Sequence, residues 1–251
     1  MKKYISCAFF FVLSLAHSQK TIHVFVALCD HINQGIVPVP ESLGNGQNPT
    51  TNLYWGALYG VKTHFKISED WIFLTSMTSE NPKILERVLF KHKNSETFLL
   101  ADAYDGKYIK EAITHFLEAS AGNNPQEITI NDRKLPFGGN SNLVSYIGHN
   151  GLMEFDVDGH FNPKNNNKRD AIILACISKN YFLSHIRQTQ ANPLIWTTGL
   201  MAPEAYTLKW AIDGWIRNET DNEIRERAAK AYHNYQKCGL NAAKRLLVTG
   251  F

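Results

Sequence analysis

This chain lacks paired cysteines, an excess of one charge and, past its first residues, any long apolar run. Four cysteines in 251 residues, none at the two-residue spacing of a metal knuckle, exclude a disulfide scaffold and a zinc ribbon. Lys plus Arg number 26 against 23 Asp plus Glu. The net charge of +3 is too small and too evenly spread for a nucleic-acid footprint. Beyond residue 18 no apolar stretch approaches the roughly 18–20 residues that span a bilayer, so no stable membrane span is expected. There is no HExxH helix, no Walker loop and no Gly-x-Ser-x-Gly elbow, which counts against zinc hydrolysis, P-loop chemistry and serine hydrolysis. No metal and no cofactor is expected. What is present is ordinary globular composition, 44% hydrophobic and 12% aromatic, in a chain long enough to bury a large core.

The start reads as a targeting segment. Met1-Lys2-Lys3 is basic, residues 4–16 are apolar, and Ala16-His17-Ser18 places small residues around a cleavage point. Residues 1–18 are therefore expected to be a signal peptide, with 19–251 as one exported domain, periplasmic or secreted. Cys7 leaves with the leader. Cys29, Cys176 and Cys238 remain, an odd number, so at least one thiol is unpaired. A Cys29–Cys238 bridge stays open beside buried structural thiols.

Strand and helix patterns alternate along the rest. Residues 21–28, 71–76, 97–103, 143–148, 171–177 and 194–198 are apolar and β-rich, and 84–91 reads as a hairpin piece or edge strand. A short strand is possible at 127–130. The spacing predicts helices over 51–65, 109–117, 179–189, 203–216 and from Thr220, where Glu223 completes a capping box; Gly239 ends the last. Glu223–Arg227 and Glu226–Lys230 are expected i,i+4 pairs. The fold class implied is α/β, a three-layer sandwich around a mostly parallel, about six-stranded sheet. Ligands of such sheets bind beyond the carboxyl ends of the strands.

Two strand ends carry reactive groups. The strand at 143–148 runs into His149-Asn150-Gly151, and the strand at 171–175 runs into Cys176. If these strands are parallel neighbours, a thiol and an imidazole share one edge, the minimum apparatus for cysteine nucleophilic catalysis. A helix starting near Ser178 would favour the thiolate and point amides at an oxyanion.

The pattern of an apolar strand ending Gly148-His149-x-Gly151, followed by an apolar strand ending Ala175-Cys176, resembles the cysteine peptidases of the caspase-like fold, the group of caspases, metacaspases, legumains, gingipains and clostripain. The resemblance implies an exported cysteine endopeptidase acting on a protein or peptide substrate, with Cys176 as nucleophile and His149 as the base of a dyad. It implies an oxyanion hole from the N–H of Cys176 and of the glycine after the histidine. Here Asn150 intervenes, so Gly151 or Asn150 is the second donor. Ile177-Ser178 stands where the group often has a small residue and glycine, and 27 residues separate His149 from Cys176, against about 50 in caspases. The alternative is a catalytically inactive module of the same fold, with a binding role at the cell surface.

Asp102 and Asp105, after the strand at 97–103, would lie on the same edge. There they could select Lys or Arg by charge pairing, unless Asp105 simply caps the following helix. Trp196 is either a wall of the cleft or core. Glu154, Asp156 and Asp158 read as a solvated hairpin in preference to a calcium loop. His23, His64 and His92 read as structural.

Overall fold

The computed structural model describes residues 19–251; the expected signal peptide lies outside the described residues. A mixed eight-stranded sheet forms the centre, two strands more than expected. Five of its strands are parallel: β1 (Lys20–Ala27), β4 (Thr97–Tyr104), β7 (Leu143–Ile147), β8 (Asp170–Leu174) and β9 (Asn192–Thr197). They lie side by side in the order β4-β1-β7-β8-β9. Their near-continuous apolar composition suits strands covered on both faces. β3 (Ile84–His92) and β2 (Trp71–Met77) extend the sheet beyond β4 as antiparallel strands. β10 (Leu247–Val248) closes the other edge against β9. Just beyond β10, the Gly250 N–H donates to Pro193 O (2.9 Å), and Trp196 Nε1 donates to Gly250 O (3.0 Å).

Helices cover both faces. On one side α2 (Ile109–Ser120) and α3 (Ser178–Thr189) pack Ile113, Phe116, Phe182 and Ile186 on Phe25, Tyr146 and Ile173. On the other, α1 (Val61–Ile67), α4 (Ala205–Ile216), α5 (Asp221–Gln236) and α6 (Leu240–Leu246) pack onto Val24, Val26, Leu99 and Leu174. A separate hairpin, β5 (Pro125–Ile130) and β6 (Arg133–Gly138), joins a third small core with Leu89, Phe98 and Leu100.

The capping box at Thr220 and Glu223 is present. The expected i,i+4 pairs are not made: Arg227 binds Glu219, and Glu226 binds Arg225 and Lys244. α5 stops at Gln236, and Gly239 (φ 88°) opens α6 instead of ending α5. Residues 154–169 are an irregular loop with no hairpin.

Strand order reverses at β1. From it the chain builds outward to β4 on one side, and through β7, β8 and β9 on the other. The gap beyond the carboxyl ends of β1 and β7 is the switch point where open α/β sheets hold ligands.

Candidate active site

A cavity of about 310 Å³ opens at this switch point. Four of the five parallel strands contribute from their carboxyl ends: Cys29 after β1, Gly148 and His149 after β7, Cys176 after β8, and residues 200–204 after β9. Ile36, Val37, Val39, Leu53 and Tyr54, from the long segment after β1, form the facing wall. A larger cavity of about 580 Å³ lies elsewhere, among Arg87, Tyr104 and His115, and holds neither Cys176 nor His149.

Local bonds fix both chemical groups. β7 and β8 are parallel neighbours, with Ile147 beside Leu174, so the residues beyond them emerge on one edge. Gly148 has φ 153°, and a Cβ there would stand 2.9 Å from Ala27 O, so only glycine fits before the histidine. Tyr146 Oη donates to His149 O (2.7 Å), and Asn150 Nδ2 donates to Cys176 O (2.6 Å). Below the cysteine, Thr197 Oγ1 donates to Ala175 O and Ser178 Oγ to Ile173 O. Ile177, immediately after Cys176, sits in the left-handed region (φ 49°, ψ 34°), an outlier for a β-branched residue. Such strain costs on the order of 1–3 kcal/mol and gathers at functional sites. Glycine would take this backbone freely, so the Ile177 departure noted in the sequence falls where a side chain is most costly.

The His149 side chain is 9% exposed, and its Nε2 pairs with Glu154 Oε1 at 2.7 Å. The same oxygen accepts the Gly35 N–H at 2.8 Å. Nδ1 is thus the ring nitrogen left for the thiol. Cys176 Sγ accepts the Met201 N–H (3.4 Å) and lies 3.6 Å from Met201 O. No hydrogen bond joins Sγ to the imidazole in this structure. Catalytic contacts of this kind often tighten only around substrate.

Of the two candidate second oxyanion donors, Gly151 N–H is already given to His149 O (3.2 Å). The backbone N–H groups of Asn150 and Cys176 carry no hydrogen bond among the described residues. α3, a twelve-residue helix, begins two residues past the sulfur.

Asp102, Asp105 and Trp196 do not join this cavity. The fully buried Asp102 carboxylate binds Arg87 through two 2.6 Å bonds and His23 Nε2 at 3.0 Å. Alternation along β4 turns it away from the cleft. Burial pushes its carboxyl up, but Arg87 and His23 outweigh this and hold it below the ordinary range. Asp105 caps the turn before α2, accepting from Lys107 N (3.0 Å), and also accepts from Gln47 Nε2 (2.7 Å). Trp196 is fully buried in the core on the α2/α3 face, across the sheet from the cavity wall. Asp158 reaches only Lys110, at 3.5 Å.

The three described cysteines are all free. Cys238 is exposed, against the expectation of a buried thiol. Cys29 is buried, and burial pushes its thiol up to about 11, against a hydrogen bond from Tyr54. So little of it is thiolate near neutral pH that it is a poor nucleophile.

Three cavity or second-layer residues were not singled out for these roles by the sequence: Tyr54, Glu154 and Glu204. Glu204 was the most findable, as the one charge in the apolar run 199–208 beyond a strand end. Comparison of the chain with protein-family models, with curated proteins and with solved structures returned no match.

Proposed function

We propose that this protein is a cysteine peptidase of the caspase-like type, exported by the leader read at residues 1–18. The observation that carries the reading is the placement of Cys176 and His149 at the ends of adjacent parallel strands, lining one cavity at the switch point of the sheet. The parallel strand order and helices on both faces are compatible with that fold type.

In the proposed reaction the Cys176 thiolate attacks a peptide carbonyl carbon, and the carbonyl oxygen takes the negative charge beside the unbonded Cys176 and Asn150 N–H groups. Collapse of this adduct breaks the C–N bond, and the His149 imidazolium gives its proton to the departing amine. Water, deprotonated by His149, then attacks the thioester and releases the acid and the free thiol. Glu154, paired with Nε2, leaves Nδ1 as the nitrogen that exchanges the proton in this reaction. The missing direct bond between Sγ and the imidazole favours the second reading, a binding module without turnover.

Purified protein, Cys176→Ala and His149→Ala are assayed against a mixed peptide library. Cleavage by the native chain, lowered at least about 10³-fold in either variant with unchanged melting, is expected for a nucleophile–base pair. Equal cleavage by Cys176→Ala would overturn the mechanism, and no cleavage by the native chain would favour the binding module.

A further inference from the structure

The cavity that holds Cys176 contains one carboxylate, Glu204. Glu204 lies three residues beyond Met201, whose backbone N–H binds the Cys176 sulfur. Sulfur and carboxylate line the same cavity of about 310 Å³, so one ligand can meet both. Glu204 Oε2 accepts from Tyr206 Oη (2.8 Å) and Gln236 Nε2 (3.1 Å). Both bonds fix its position, and neither brings positive charge. Glu204 makes no ion pair among the described residues, and burial pushes its carboxyl above the ordinary carboxylate range despite those two hydrogen bonds. A half-buried carboxylate without a cation is costly, and a cationic ligand that completes it recovers the loss. Most of the remaining lining is apolar, Val39, Leu53, Met201 and Pro203 among it, with the Tyr54 ring beside them. A largely apolar cavity with one carboxylate that no cation pairs matches a side chain with an alkyl stem and a cationic head.

We propose that Glu204 selects a lysine or arginine side chain on the residue whose carbonyl Cys176 attacks. This rests on the peptidase reading for the word substrate, but the cation site can be tested without turnover. Selection by charge, assigned from sequence to Asp102 or Asp105, then falls to a residue on the β9–α4 connection. Asp102 cannot serve, because Arg87 already neutralises it.

Two measurements separate the ideas. In the first, alkylation of Cys176 by iodoacetamide is followed by peptide mass mapping, with N-acetyl-arginine amide or its neutral isostere N-acetyl-citrulline amide as protectant. Protection by the arginine compound alone, lost in Glu204→Gln, is expected. Equal protection by both, or protection unchanged in Glu204→Gln, would overturn the cation site. In the second, fluorogenic peptides with Arg, Lys, Leu or Asp before the scissile bond are compared. The Arg-to-Leu ratio of kcat/KM should fall roughly 10- to 100-fold in Glu204→Gln, the scale of a charge-assisted contact. Cys176-dependent cleavage of Leu peptides at the Arg rate would sink the selectivity and leave the peptidase standing. Glu204-dependent protection with no cleavage of any peptide would sink the peptidase and leave the cation site. Glu204→Asp, which keeps the charge, guards against a fold defect: it should retain preference for arginine over citrulline where Glu204→Gln does not.

Discussion

Glu154 Oε1 is shared between the His149 ring and the backbone of Gly35, so one oxygen orients the imidazole and pins the segment that walls the cleft. Removing it releases the ring from the one side-chain bond that sets its orientation. Glu154→Ala is expected to lower kcat roughly 10- to 100-fold, less than the roughly 10²–10⁴-fold that proton transfer by a positioned group contributes, because the imidazole itself remains. Glu154→Gln, which keeps a hydrogen-bonding oxygen, should recover part of the rate. A loss confined to KM, or no recovery by Gln, would refute the positioning role. At this scale the sequence reached the reactive atoms but not their supports. His149 and Cys176 stand out because a strand end exposes them to view as a pattern. Glu154 looked like one member of a solvated acidic cluster, since nothing in the spacing says that it bends back to a ring five residues earlier. Asp102 was misassigned for the converse reason: a carboxylate near a strand end reads as available, and only the cross-strand register reveals Arg87 opposite it.

Among the elements, β1, β3, β4 and β6 meet at a buried polar knot. His23 Nδ1 accepts the Gly138 N–H (3.1 Å), so Nε2 carries the proton given to Asp102. Burial, stronger than the nearby carboxylate, keeps this imidazole below its ordinary titration range and neutral. Asp102→Asn would leave the Arg87 guanidinium buried without its counter-charge, and a loss of about 3–5 kcal/mol is expected, read from urea unfolding. A loss under about 1 kcal/mol would put the pair in the class of exposed bridges.

Strands buried on both faces were legible as apolar runs, and α5 was legible from its cap. The stretch 51–65 was not. Its apolar spacing suggests one helix, but only Val61–Ile67 is helical. Asn52 takes the backbone instead, donating to Cys29 O (2.8 Å) and accepting from Cys29 N (3.1 Å), local side-chain bonding that competes with a helix. A Cβ on Gly56 would fall 2.0 Å from Thr50 O, so the chain folds there more tightly than a helix can. Tyr54 consequently faces the cleft, and Leu58 is 57% exposed. β6 was hidden because it carries Pro136 and Gly138, residues that weaken a strand pattern. The turn before it, Asn131 and Asp132 at φ 46° and 60°, is the two-residue hairpin form that needs positive φ at both positions.

For the whole molecule, four histidines share one bias. Burial lowers His23, His64, His92 and His185, and His64 reaches about 4 with Lys209 adding to the effect. The folded chain keeps these rings neutral, while the unfolded chain protonates them near pH about 6.5. Below that pH the unfolded state binds more protons, so stability is full above it and falls as pH drops toward about 4. The thermal midpoint should be level from pH 8 to 7 and decline steadily from 6.5 to 5, with a shallower decline in His64→Gln. A level midpoint down to pH 5 would contradict the burial of these rings.

Residues 247–251 run along β9 as a seam, through β10, the Gly250 bonds and the Phe251 ring against Trp196. Trp196 is followed by Thr197, whose hydroxyl holds Ala175 O directly under the nucleophile. Unstitching those five residues would therefore loosen the floor of the cleft from behind, making the last hem of the sheet a remote tensioner for one sulfur atom.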